Sequence, residues 1–138
     1  MPVSPYLYFA GNCAEALAFY ETALDAKVEF RMKFNEVPEP TPVPAGWDEK
    51  ICHVSFTILG THLMASDAPP GMYNKPTGFR VALNMDAPGT AKTWFDALAT
   101  GGSIDMPLQK TFWASAFGMV TDRFGIPWII NGELMQPQ

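Results

Sequence analysis

Cysteine and histidine are scarce in this sequence, with two of each. Cys13 and Cys52 cannot build a disulfide framework and lack metal-ligand spacing, so a reducing cytoplasmic setting is expected. No apolar stretch approaches the roughly 20 residues that span a bilayer, which argues against a membrane partner. Met1-Pro2-Val3-Ser4-Pro5 offers no basic region, apolar run or cleavage site, so no signal peptide is expected. Lys and Arg never cluster and the net charge is −5, which argues against nucleic acid, whose binding depends on phosphate neutralisation. Ser/His/Asp spacing, paired catalytic carboxylates and a phosphate-binding loop are all missing.

What is abundant is apolar and aromatic. Hydrophobic residues make up 48% of the chain and aromatics 13%, enough for a core without staples. Residues 3–10 read as a strand buried on both faces. Asn12, with Glu15 three residues on, predicts a capped helix start. Cys13, Leu17, Tyr20 and Leu24 then give one apolar stripe. Lys27 to Phe34 alternates, with Val28, Phe30, Met32 and Phe34 on one face, as a half-exposed strand does. A proline-rich loop holding Trp47 spans 35–50. A third strand over 51–59 puts Cys52, Val54, Phe56 and Ile58 on an apolar face and His53, Ser55 and Thr57 on a polar one. Gly60-Thr61 reads as a hairpin turn and 62–66 as the returning strand.

After a loop carrying Pro69-Pro70-Gly71 the pattern restarts. Residues 78–85 form a strand. Asp86 caps a helix with Pro88 in its first turn and an apolar stripe of Ala91, Trp94, Phe95 and Leu98. Strands follow at 103–106, 111–121 and 127–131. A shift of 75 residues lays Tyr6-Leu7-Tyr8 over Val81-Ala82-Leu83 and Phe19-Tyr20 over Trp94-Phe95 without a gap. The order strand, helix, three strands, given twice, argues for an α+β fold of two βαβββ units, with a single ferredoxin-like sandwich as the alternative.

Particular segments carry a resemblance. They are residues 4–16, Phe19-Tyr20, Met64-Ala65-Ser66-Asp67-Ala68, Gly78-Phe79, and a run from Thr111-Phe112-Trp113-Ala114 through Phe124-Gly125-Ile126-Pro127-Trp128 to Ile130-Asn131. In these the chain resembles the vicinal-oxygen-chelate superfamily of glyoxalase I and bleomycin-resistance proteins. Within it, the chain is similar to the PhnB-like group, sometimes labelled 3-demethylubiquinone methyltransferase-like. The methyltransferase label has no support here, since no glycine-rich loop joins a first strand to a helix as a Rossmann-type nucleotide site requires. The resemblance implies one glyoxalase-like domain over 1–138, with units of about 3–67 and 78–131. Their strands would form a U-shaped half-barrel with helices outside and a ligand cleft inside. It also implies a homodimer.

Metal-using members of that superfamily draw four His, Glu or Gln ligands from the first and fourth strands of each unit. The resemblance carries these positions onto Pro5, Met64, Arg80 and Ile129, none of which suits a hard or borderline divalent ion. No metal and no cofactor are therefore expected. Strand parity points His53, Ser55, Ser66, Arg80, Trp113, Ser115 and Asn131 into the cleft as ligand-binding candidates. His53, Arg80, Trp113 and Asn131 are expected to converge on one cavity, partly covered by the 35–50 loop.

Each candidate has a plainer reading. His53 could simply satisfy a hydrogen bond, Trp113 and Trp128 could be core, and Arg80 could pair with Asp67 or Asp86. Asp67 and Asp122 could serve turns, and Cys13 could be a small buried residue. Two functions lead, with a dimeric scaffold or fold remnant as a third reading. One is a binding protein for a small, partly apolar molecule. The other is a metal-independent enzyme on a small oxygenated or aromatic substrate, with His53 as base and Arg80 as electrophile.

Overall fold

The computed structural model describes residues 3–39 and 42–134, and only the backbone of Pro88 and Leu134. Pro40 and Thr41 of the proline-rich loop, and Met1 and Pro2 of the N-terminal segment, lie outside the described residues. The chain divides into two units, Met1–Asn74 and Lys75–Gln138.

In the first unit, β1 (Tyr6–Phe9) leads to α1 (Cys13–Ala23), then β2 (Lys27–Lys33), β3 (Ile51–Ile58) and β4 (Thr61–Asp67). The sheet order is β1-β4-β3-β2, with β1 and β4 parallel and the other pairs antiparallel. One face carries Leu7, Phe9, Val54, Phe56, Ile58, Leu63 and Ala65, all buried, as are Ala16, Leu17, Tyr20 and Ala23 of α1. The opposite face carries Tyr6, Tyr8, His53, Ser55, Thr57, Met64 and Ser66, as alternation along the paired strands requires. The hairpin turn is Leu59-Gly60, one residue earlier than expected, and both residues have positive φ (51° and 76°), as a type I′ turn demands.

The second unit repeats the order with β5 (Val81–Met85), α2 (Pro88–Ala99), β6 (Ser103–Gln109), β7 (Ala114–Thr121) and β8 (Pro127–Leu134). Its sheet runs β5-β8-β7-β6 with the same directions. Leu83, Met85, Ala116, Val120, Trp128 and Ile130 form its buried face, and Ala91, Phe95 and Leu98 of α2 are buried too. Gly118 leaves room for Phe95, because a Cβ there would come within 2.7 Å of the ring. The two βαβββ units of an α+β fold are thus present, and both have the same strand order.

Three local expectations need correction. The gapless offset of 75 residues holds for the helices, where Ala16 and Tyr20 correspond to Ala91 and Phe95. It fails for the first strands, where buried Leu7 and Phe9 correspond to Leu83 and Met85, an offset of 76. The link from β1 to α1 is one residue longer than that from β5 to α2, and Gly11, at φ 103°, lies in it. Helix capping also differs. Neither Asn12 nor Ala87, the residues at the two N-cap positions, makes a side-chain cap bond, and Asp86 precedes the cap. Finally, β2 does not keep strict alternation. Register shifts fall between Val28 and Phe30 and between Met32 and Lys33, and Phe34 opens a 3-10 turn. An edge strand paired on one side tolerates such bulges, and Phe30 stays 48% exposed.

Candidate functional site

In unit one the polar side chains gather on the face away from α1. Tyr6 Oη lies 3.1 Å from His53 Nδ1, and their rings are 5.8 Å apart. Phe30 flanks the imidazole at 6.3 Å. The Tyr6 hydroxyl also interacts with Ser66. Burial raises the Tyr6 pKa, and the Ser66 hydrogen bond opposes that rise. His53, Ser55 and Ser66 therefore share one face with Tyr6. Sequence reading placed Tyr6 in a strand buried on both faces and gave it no role. The signal that finds it is the pairing of Tyr6 with Met64 across β1 and β4, which puts both on the His53 side.

At the end of this face lies a cavity of about 520 Å³. Its walls include Tyr8, Phe34, Val43, Cys52, Ser66 and Met72. Phe34 and Val43 belong to the segment around the proline-rich loop, so that segment does border a cavity within its own unit. Trp47 packs edge-on to Phe34 with centroids 6.3 Å apart.

Asp67, at the end of β4, is structural. Its Oδ1 accepts the Gly11 and Cys13 N–H groups at 3.0 and 2.9 Å, and Oδ2 accepts that of Ile51 at 2.9 Å. This carboxylate does the capping that Asn12 does not. Cys13 beneath it is fully buried, and burial, with the Asp67 charge second, pushes its thiol pKa far up. A reactive helix-start thiolate is excluded there.

Unit two places its candidates at two ends of one face. Arg80 makes an ion pair with Asp105 at 3.0 Å and points a second contact at the Trp128 carbonyl, 3.4 Å away. Thr121 donates to Asp105 at 2.6 Å. That bond, with the Arg80 charge behind it, holds the Asp105 carboxyl below its usual range. The partner is neither Asp67 nor Asp86, and Asp105 was not foreseen, because its β6 neighbour is fixed only by long-range pairing. These groups border a cavity of about 600 Å³ with Lys75, Thr77, Ser103 and Ile129.

Toward the other end, Asn131 donates to Asn84 Oδ1 at 2.9 Å, and Phe117 sits directly across from Asn131. Trp113 lies one residue before β7 and stacks edge-on against Phe117 at 5.1 Å and Phe112 at 4.8 Å. Among the described residues, the buried Ser115 Oγ and Asn131 Oδ1 have no hydrogen-bond partner. Neither Trp113 nor Asn131 borders the Arg80 cavity. Four residues separate the Arg80 and Asn84 positions along β5, about 13 Å at strand spacing. Trp128, by contrast, is core, fully buried with its indole N–H on Asp122 at 2.9 Å. Asp122 also accepts the Phe124 and Ile126 N–H groups, as a turn carboxylate does.

The positions that the resemblance assigns to metal ligands do not fit a divalent ion. Met64 is a thioether, Ile129 has no donor, and Arg80 is committed to Asp105. The one-residue offset makes Ser4, not Pro5, the counterpart of Arg80, and the Ser4 hydroxyl donates to the His62 carbonyl at 2.7 Å. His62 itself stands 2.7 Å from the Glu29 carboxylate, though out of line for a hydrogen bond. Among the described residues, no three of His, Cys, Asp or Glu gather as a metal site would need.

Known proteins share this architecture. Protein YjdN of Escherichia coli (strain K12) is 42% identical over 145 aligned positions covering 99% of each chain. Protein PA1353 from Pseudomonas aeruginosa is 44% identical, with a TM-score of 0.83 over 95% of this chain and 96% of that one. The PhnB protein from Bacillus cereus shares the fold at 23% identity, with a TM-score of 0.75 over 96% and 99% of the two chains. With residues 3–130 matching its family description, the chain belongs to the Glyoxalase/Bleomycin resistance protein/Dioxygenase superfamily.

Proposed function

We propose that this protein binds a small, partly apolar molecule on the helix-free faces of its sheets, without a divalent metal. The observation that carries the reading is the unit-one cavity of about 520 Å³, walled by Tyr8, Phe34, Val43, Cys52 and Met72 with Ser66 as a polar anchor. That mixture of apolar wall and few polar groups is what small-molecule sites have. The same composition recurs in unit two, where Trp113 and Phe117 stand beside Ser115 and Asn131. The bleomycin-resistance part of the family description is in keeping with sequestration of a small molecule.

The enzyme reading draws on His53, which is held by Tyr6 and can offer one ring nitrogen to a ligand. It draws less on Arg80, whose charge is already matched by Asp105 and which therefore has less to give an oxyanion. Binding is the better supported function. We further propose a homodimer acting in the cytoplasm, the dimer covering apolar edge residues such as Phe30 and Ile104, which are 48% and 54% exposed.

The test is a screen of small aromatic molecules by Trp fluorescence on wild-type and Trp113→Ala protein. Binders should quench the wild type, and the variant should lose the unit-two part of that response while still unfolding cooperatively. Loss of folding in the variant would assign Trp113 to the core instead.

A further inference from the structure

The Tyr6 phenol and the His53 imidazole form a pair on the open face of unit one, which Ser66 shares. Tyr6 Oη lies 3.1 Å from His53 Nδ1. Ser66 sits on β4, Tyr6 on β1 and His53 on β3, so the sheet's own pairing fixes all three positions. The protonated phenol has one O–H to donate, and Nδ1 is an acceptor within reach at 3.1 Å. Burial keeps the phenol protonated by raising its pKa. A neutral imidazole has one N–H, so an accepting Nδ1 leaves that proton on Nε2. The rings of Tyr6 and Phe30, at 5.8 and 6.3 Å, hold the imidazole between them.

We propose that Tyr6 is the positioning residue that fixes His53 as its Nε2–H form, so that this face offers a hydrogen-bond donor to a ligand carrying a carbonyl or ether oxygen on an otherwise apolar body. The ligand half of this statement rests on the binding function proposed above. The tautomer half does not. An Nε2–H donor also disfavours His53 as a general base through that nitrogen, since it has no lone pair to receive a proton.

Nitrogen NMR of the full chain, labelled in histidine, reads the tautomer directly, with His53→Gln identifying the signals. The wild type should show a protonated Nε2 and a bare Nδ1 at His53. Tyr6→Phe should give a mixture of tautomers. A protonated Nδ1 in the wild type overturns the proposal, and that reading needs no variant to fold. An unchanged tautomer in a folded Tyr6→Phe protein overturns the role given to Tyr6.

Acetophenone, with ethylbenzene as its oxygen-free counterpart, tests the ligand class. Acetophenone should shift the Nε2 signal and bind Tyr6→Phe about twofold more weakly, since an even mixture leaves about half of the imidazoles with a proton on Nε2. Equal shifts from both probes would overturn the ligand class. No shift on either helix-free face, with the tautomer as expected, would overturn the binding function and leave the tautomer assignment standing.

Discussion

Asp67 is buried, yet its carboxylate accepts three backbone N–H groups, from Gly11, Cys13 and Ile51. It thereby ties the end of β4 to the start of α1 and the start of β3. Replacing it by Ala leaves two buried donors and a part-buried one without partners, so Asp67→Ala should lower unfolding free energy by roughly 3 kcal/mol, measured by urea denaturation. The same carboxylate raises the Cys13 thiol pKa, second to burial itself. Iodoacetamide should therefore modify Cys52, which borders a cavity, in native protein, and reach Cys13 only after unfolding. Native alkylation of Cys13, seen by mass spectrometry, would contradict this. Asp105 gives a pH prediction. Its folded pKa is lowered by Thr121 and then Arg80, so the contact is stabilising above the usual carboxylate range and is lost as pH falls through the lowered value. Thr121→Val should move the Asp105 titration midpoint, followed by NMR, to higher pH.

At the scale of elements, strand parity was the most legible feature. A period of two along β3 separates Val54, Phe56 and Ile58 from His53, Ser55 and Thr57, because one face must be buried. It breaks at a bulge where Cys52, expected beside Val54, borders the cavity with Tyr8 and Ser66 while Ile51 is buried. Helix caps were not legible. Asn12 has the right chemistry and place, but Asp67, 55 residues later, accepts the Cys13 N–H at the helix start with a buried carboxylate. Asn12→Ala should accordingly change stability by less than about 0.5 kcal/mol, where a working cap would cost about 1 kcal/mol. The repeat was legible in its order and hidden in its register. An extra residue before α1 shifts β1 by one against the helix, and a one-residue slip exchanges faces. That slip put Pro5 where Ser4 belongs, and left Tyr6 unrecognised as the neighbour of His53. The Arg80 partner was hidden for a similar reason, since β6 meets its neighbours only through β7. Gly118 shows how α2 depends on β7. Gly118→Ala would bring a Cβ within 2.7 Å of Phe95 and 3.1 Å of the Leu108 Cα, and should destabilise by about 1–3 kcal/mol.

The chain belongs to the Glyoxalase/Bleomycin resistance protein/Dioxygenase superfamily, and the four positions that the resemblance assigns to metal ligands hold a serine hydroxyl, a thioether, an alkyl side chain and a paired guanidinium. No helix among the described residues is long and apolar enough to cross a membrane. Sedimentation at micromolar concentration should show a dimer, and a monomer alone would count against the proposed assembly. Binding without metal is the central proposal, and nothing in the fold family alone decides it. The most direct measurement is a two-dimensional NMR titration of untagged, EDTA-treated protein with a panel of small aromatic ketones. The expected result is saturable shifts confined to helix-free-face residues such as Tyr6, His53 and Ser66, unchanged when zinc, nickel or manganese is restored. Shifts that appear only after a metal is added, or bound metal in stoichiometric amount before EDTA treatment, would contradict it.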